Sequence, residues 1–405
     1  MSHTLPIRHR LSILIATVLV FVGASRIMRA ETGVCGGQTT TLPFADLPQS
    51  NIFFCSIAEA YFSGLTNGTS PTTYNPSDPV PREQMAAFIT RTHDSALKRG
   101  SRRAALKQWW TPTSTGALQS VDLNNCCSFV EGMTCDGADV WVSDSSSNIK
   151  RVRASDGKVL QTWSASGAEG LIVAAGKIFI AGVNGGSPGK IYVIDPTGTP
   201  GAATVFENSI GVAPMQITFD GTNLWTANDA SISRVDMTTG TDSTFTSGFG
   251  DPNDILWDGT NLWIVDTTDS HLKRIDVSSV SILESIAVVP NPRAMAFDGA
   301  NIWVTGGGGS GSNNISVVRA VGAFRGTVLA TLSSGGANPT GIAFDGERML
   351  VCNQSADSVS LFKAADLTML GTLATGFQSI PFRACSDGLN FWIGLGRNPN
   401  TILRF

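Results

Sequence analysis

The chain has 405 residues, of which only 15% are charged and 43 are glycine, and its formal net charge is −4. A balance this close to neutral carries no basic footprint for DNA or RNA. The glycine content and low charge suit a turn-rich, mainly β, extracellular protein, and the length allows more than one domain.

Residues 1–24 read as a secretory signal. Arg8, His9 and Arg10 give a positive start, Leu11 to Val22 give an apolar run too short to span a bilayer comfortably, and Val22-Gly23-Ala24 fits the small-residue cleavage rule. No later segment reads as membrane-spanning. The expected location is therefore outside the cell, either secreted or held at the cell surface.

Residues 44–95 have a different texture. Ile57, Ala60, Tyr61 and Leu65 fall at helical spacing, and Gly64 breaks the run. Pro81 sits at the first turn of a second expected helix, whose apolar face is Met85, Phe88 and Ile89. The pieces Phe44-Ala45-Asp46-Leu47-Pro48, Gly64-Leu65-Thr66-Asn67-Gly68, Tyr74-Asn75-Pro76 and Val80-Pro81-Arg82-Glu83-Gln84-Met85-Ala86-Ala87-Phe88 together resemble a surface-layer homology (SLH) domain. The resemblance implies a small α-helical module that holds exported proteins to cell-wall polysaccharide. Arg82, with Gln84 beside it, would meet an acidic sugar, because a guanidinium offers paired donors to a carboxylate. Pro81 stands where the family has Thr, and Gln84 where it has Glu. Residues 96–105, rich in Lys and Arg, read as a linker.

From residue 106 onward the chain repeats. Phe219-Asp220-Gly221-Thr222-Asn223-Leu224-Trp225 recurs at Trp257–Trp263 and Phe297–Trp303, with looser copies around Gly137, Gly346 and Gly388 and a variant at Ala174-Ala175-Gly176 with Phe179. The seven glycines 137, 176, 221, 259, 299, 346 and 388 are 38 to 47 residues apart, the period of a blade array. Each copy holds four short strands, and Asp-Gly marks the tight hairpin between the first two. Seven such sheets predict a seven-bladed β-propeller over 106–405, with Trp141, Trp225, Trp263, Trp303 and Trp392 packed between blades. The last copy lacks a fourth strand, so Leu106–Thr111 is expected to complete it and close the ring. Proline-opened first strands and Leu-Trp or Ile-Trp second strands also resemble the NHL/YVTN-like group of exported propellers. That resemblance implies a scaffold used for many functions.

The seven cysteines, 35, 55, 126, 127, 135, 352 and 385, suggest disulfides in an exported chain. Cys35 with Cys55, Cys126 or Cys127 with Cys135, and Cys352 with Cys385 are the pairings the order suggests. No cysteine and histidine spacing marks a metal site, and no cofactor is expected.

Propeller ligands sit where first strands begin and second strands end. The first-strand openings offer Glu131, Gln216, Asn253, Asp254, Arg293 and Arg383. The second-strand ends offer Asp144, Asn228, Asp266 and Asn353. Catalytic provision is thin: past residue 24 only His93 and His271 remain, and no His-Glu-x-x-His is present. The expectation is a ligand- or protein-binding scaffold without a catalytic set, whose partner is cell-wall polysaccharide or an envelope protein. The alternative is a lyase or hydrolase at the channel mouth, with Glu131 and Asp144 as acid and base.

Overall fold

In a computed structural model of the chain, the described residues are 30–35, 38–89, 118–124, 129–183, 188–307, 313–397 and 400–405. Residues 1–24, the linker 96–105, the segment 106–111 and both Cys126 and Cys127 lie outside them. Among the described residues no helix is long and apolar enough to cross a membrane. The chain divides into two compact units: residues up to Ala58 with Asn67–Pro79, and Glu59–Thr66 with Val80–Phe405.

The first unit opens with an antiparallel hairpin, Glu31–Cys35 paired to Gln38–Leu42. The Thr39-Thr40-Thr41 run suits a strand because β-branched side chains pack well on a pleat. This hairpin lies before the stretch 44–95 expected to be helical, in which the described residues hold two helices, Phe54–Phe62 and one over 82–89. Cys35 and Cys55 form a disulfide, the pairing expected from their order. Phe44 and Leu47 are buried, and the Asp46 carboxylate accepts the backbone N–H groups of Tyr74 (2.8 Å) and Asn75 (2.7 Å). This ties the Phe-x-Asp-Leu stretch to the Tyr-Asn-Pro turn.

In the second unit, Gly64 takes φ +74° just past the first helix, where a Cβ would be strained. The segment 59–66 docks on the fifth blade. The side-chain amide of Asn301 donates to the Phe62 carbonyl (2.7 Å), and the buried Arg319 guanidinium donates to the Tyr61 carbonyl. The helix over 82–89 starts directly after Pro81, yet Met85 and Ile89 are exposed.

Seven four-stranded antiparallel sheets form the ring. Their first strands are Val130–Cys135, Ala168–Ala174, Gln216–Phe219, Pro252–Trp257, Pro292–Phe297, Pro339–Phe344 and Pro381–Ser386, which open blades 1 to 7 in that order. Each first strand packs on those of both neighbours, so together they line the channel. In blade 7 the fourth strand is Gln119–Asp122, paired antiparallel to Thr401–Arg404 with Gln119 opposite Arg404. Closure by an amino-terminal strand therefore holds, but the place expected for 106–111 is taken by 119–122. Only Val121 of that strand turns inward; the other three residues are exposed. An outer strand needs little apolar surface, which is why its sequence looks unlike one.

Every repeat Trp is fully buried and wedged against the following blade. Trp225 packs with Ile255, Leu262 and Ile264 of blade 4, and Trp263 with Met295, Ile302 and Val304 of blade 5. Trp392 packs with Val130, Val140 and Val142 of blade 1, across the closing seam. Burying one such ring contributes roughly 3 kcal/mol. The seam is also covalent: Cys135 of blade 1 bonds Cys385 of blade 7. This corrects the expected partners of both residues. Cys352 is buried and is the free cysteine among the described residues.

The blade 2 turn differs from its counterparts in kind. In the other six, the glycine after Asp holds positive φ (+84° to +102°) at the first central position, the pattern of a type II′ hairpin. In blade 2 both Ala175 (+48°) and Gly176 (+74°) are positive, the pattern of type I′. Ala174, which pairs with Lys177, is the structural counterpart of the repeat Asp, so the repeat frame shifts by one residue there.

Candidate functional site

The channel mouth is built by an irregularity shared by most first strands. In blades 1, 2, 4, 5, 6 and 7 the pairing of first to second strand slips just after the opening residue. The slip leaves Glu131, Asn253, Arg293 and Phe382 without a partner opposite them, along with Glu169 and Thr340 in the two longer slips. A bulge of this kind re-aims side chains that alternation would otherwise place. It also draws blade backbones together. A Cβ on Gly132 would come within 2.1 Å of the Glu169 carbonyl, and one on Gly341 within 2.5 Å of the Phe382 carbonyl.

Arg383 is the centre of the cluster. Its Nε donates to the Glu131 carbonyl across the closing seam (2.6 Å), and its guanidinium lies 4.6 Å from the centroid of the Phe382 ring. It interacts electrostatically with Asp254 of blade 4, Glu131 of blade 1 and Glu169 of blade 2, so it sits deep in the ring. It keeps surface toward two cavities. One, of about 210 Å³, is lined by Asn253, Arg293, Asn338, Thr340 and Gln354 as well as Arg383. The other, of about 140 Å³, is lined by Met133, Gln216, Asp254, Met295 and Ile342 as well as Arg383.

The acids around Arg383 are perturbed. Burial pushes Asp254 up to about 6, against the N–H groups of Met295 (2.7 Å) and Ile255 (2.9 Å) and the charge of Arg383, all of which favour its anion. Burial, then the charge of Glu131, pushes Glu169 up to about 7; Arg383 partly offsets them. One carboxyl oxygen of Glu169 is buried without a hydrogen bond. Burial also raises Glu131, offset by Arg383 and reinforced by Asp144.

The second-strand ends are occupied differently. Asp144 accepts the N–H groups of Ser146 (3.0 Å) and Asn148 (2.7 Å). Asn228 donates to Ser231 and Ser233, and Asn353 to Ser358 and Ser360. Asp266 pairs with the buried Lys273 (2.7 Å) and accepts the N–H groups of Gly250 and Asp251; burial raises its pKa, but these donors together hold it below the usual range. All four are buried; the two aspartates hold turn and loop amides, whereas Asn228 and Asn353 bond serines of their own blades' third strands. Of the residues selected from sequence, Gln216, Asn253, Asp254, Arg293 and Arg383 line the cavities. Glu131 borders Arg383, and Arg82 and Gln84 are exposed at the start of the helix over 82–89.

Glu169, Asn338, Thr340 and Gln354 were not singled out from sequence. For Glu169 a signal existed, since Glu169-Gly170 repeats Glu131-Gly132 at the same place in the next blade. Among the described residues no group of three His, Cys, Asp or Glu side chains is placed to hold a metal.

No family model matches the chain, and no curated protein matches it. Among solved structures it is similar to hydrazine synthase of Kuenenia stuttgartiensis, at 17% identity and a TM-score of 0.58, over 73% of this chain and 99% of that one. At that identity the likeness is one of fold.

Proposed function

We propose that this chain is an exported protein of a bacterial cell envelope whose propeller is a binding scaffold for a small polar ligand at the Arg383 mouth. The observation that carries the reading is the pair of cavities meeting at Arg383, ringed by amides, hydroxyls and carboxyls. The Cys35–Cys55 and Cys135–Cys385 disulfides support an oxidising compartment. The SLH-like stretch, with Arg82 and Gln84 exposed, would attach the protein to wall polysaccharide or an envelope partner.

The test has two arms. Full-length protein is sedimented with purified wall glycan, and Arg82→Ala should reduce the bound fraction; equal pelleting of the two, or none, counts against attachment. A thermal-shift screen of polar metabolites on the full-length protein should find a stabilising ligand whose effect is lost in Arg293→Gln.

A second reading, an enzyme of the lyase or hydrolase kind, is favoured by one observation: Glu169 and Asp254 titrate close to neutrality beside a fixed cation. It requires turnover that Glu169→Gln and Asp254→Asn abolish while ligand binding persists.

A further inference from the structure

We infer that the 210 Å³ cavity at the channel mouth is a site for a small organic monocarboxylate, gripped between Arg293 and Arg383. The inference rests on the binding-scaffold reading above and names its ligand class.

Two guanidinium groups face one cavity, and both have donors to spare. Arg293 makes no hydrogen bond or ion pair among the described residues, although it is half-buried. Arg383 uses only Nε, on the Glu131 carbonyl, and its two terminal nitrogens make no hydrogen bond or ion pair among the described residues. Guanidinium groups in partly desolvated positions are normally matched by carboxylates, because the planar fork satisfies two oxygens at once. Here the matching oxygens would come from a ligand. Asn253 and Thr340 add neutral polar groups to the wall, and Phe382 gives Arg383 a flat backing. At ~30 Å³ per water the cavity holds the equivalent of about seven waters, room for a small acid.

The surrounding charges select a monoanion. The titratable groups facing Arg383 are Asp254, Glu131, Glu169 and the buried thiol of Cys352, and Arg293 faces Asp251. At pH 8, where phosphate is doubly charged, it would meet these acids with twice the repulsion of a carboxylate. A neutral ligand would give neither guanidinium fork a charged acceptor for its unused donors. Glu169 and Asp254 lose their charge as pH falls through about 7 and about 6, while a simple carboxylate stays ionised to lower pH. Binding should therefore tighten by about tenfold from pH 8 to pH 5.5.

The experiment is calorimetric titration of the full-length protein with lactate, with its neutral isostere lactamide, and with inorganic phosphate, at both pH values. Lactate should bind, lactamide at either pH and phosphate at pH 8 should bind at least about tenfold more weakly, and Arg293→Gln should weaken lactate by about tenfold or more while Arg293→Lys keeps part of the affinity. Equal binding of lactate and lactamide, or lactate binding unchanged in Arg293→Gln, overturns the inference. If lactamide binds as well as lactate and Arg293→Gln removes both, the carboxylate inference fails but the scaffold reading stands. If nothing tested binds in the mouth, both fail.

Discussion

The indole Nε1 of Trp225 donates to Asp220 Oδ2 at 2.7 Å, so the residue that shapes each hairpin turn also anchors the ring that wedges the blades. The same bond joins Trp263 to Asp258 (2.7 Å), Trp303 to Asp298 (2.8 Å) and Trp392 to Asp387 (2.9 Å), and more loosely Trp141 to Asp136 (3.4 Å). Where the aromatic is Phe179, which has no N–H to satisfy, the Asp is replaced by Ala174. Where it is Leu350, Asp345 instead receives the Arg348 guanidinium (2.9 Å). Turn and wedge are thus one unit.

Asp258→Ala removes the acceptor for Trp263 Nε1, Asn261 Nδ2 and the turn amides of Thr260 and Asn261. A buried donor left without a partner costs about 1–3 kcal/mol, and the indole is fully buried. Chemical denaturation should show a loss of about 3 kcal/mol. Phe179→Trp should destabilise too, since Ala174 offers its N–H no carboxylate, and adding Ala174→Asp should recover part of the loss.

Cys135→Ser with Cys385→Ser opens the covalent seam between blades 1 and 7. The bond spans 250 residues of sequence, so its loss should cost about 3–5 kcal/mol. Peptide mapping under non-reducing conditions should find Cys135 linked to Cys385. Cys352, whose thiol burial pushes up, should be alkylated only after unfolding.

Val121→Asp should loosen the ring at the same seam. Val121 is the one inward residue of the closing strand and packs in the cluster that holds Trp392 and Ile402. A buried, unpaired carboxylate there should cost about 3 kcal/mol or more. Hydrogen exchange should quicken first in Thr401–Arg404, which would face solvent as an open edge. Uniform exchange across all seven blades would contradict this role.

The mouth makes stability depend on pH in a stated direction. Glu169 and Asp254 have folded-state values above their unfolded ones, so the native state binds more protons between about 4 and about 7. Their contribution is present at low pH and is lost as pH rises through that window. Glu169→Gln, which cannot ionise, should therefore flatten the fall in Tm between pH 5 and pH 8, leaving the variant more stable than the parent at pH 8. An unchanged slope would mean that Glu169 is solvated.

The blade count and the wedge positions were legible because they rest on local chemistry: Asp-Gly turns followed five residues after the Asp by an aromatic. Blade 2 was read one residue out of frame because its turn swaps the glycine to the second central position. The closing strand was placed on the Trp-rich 106–111 because Gln119–Asp122 buries a single side chain and carries almost no pattern. The Cys135–Cys385 bond was out of reach, since only ring closure brings those residues together. At the mouth, selection by strand ends gave equal weight to the second-strand ends, whose polar groups are spent within their own blades, and passed over Glu169, which lies in the slipped pairing of blade 2.

The most direct test of the central claim, that the propeller mouth is a binding site organised by Arg383, is a diffraction experiment on crystals of the full-length protein grown with lactate at pH 5.5. The account predicts density for the acid in the cavity, its carboxylate between the guanidinium groups of Arg293 and Arg383. Lactate bound elsewhere with only water between those two arginines, or a mouth filled by neighbouring side chains, would contradict it.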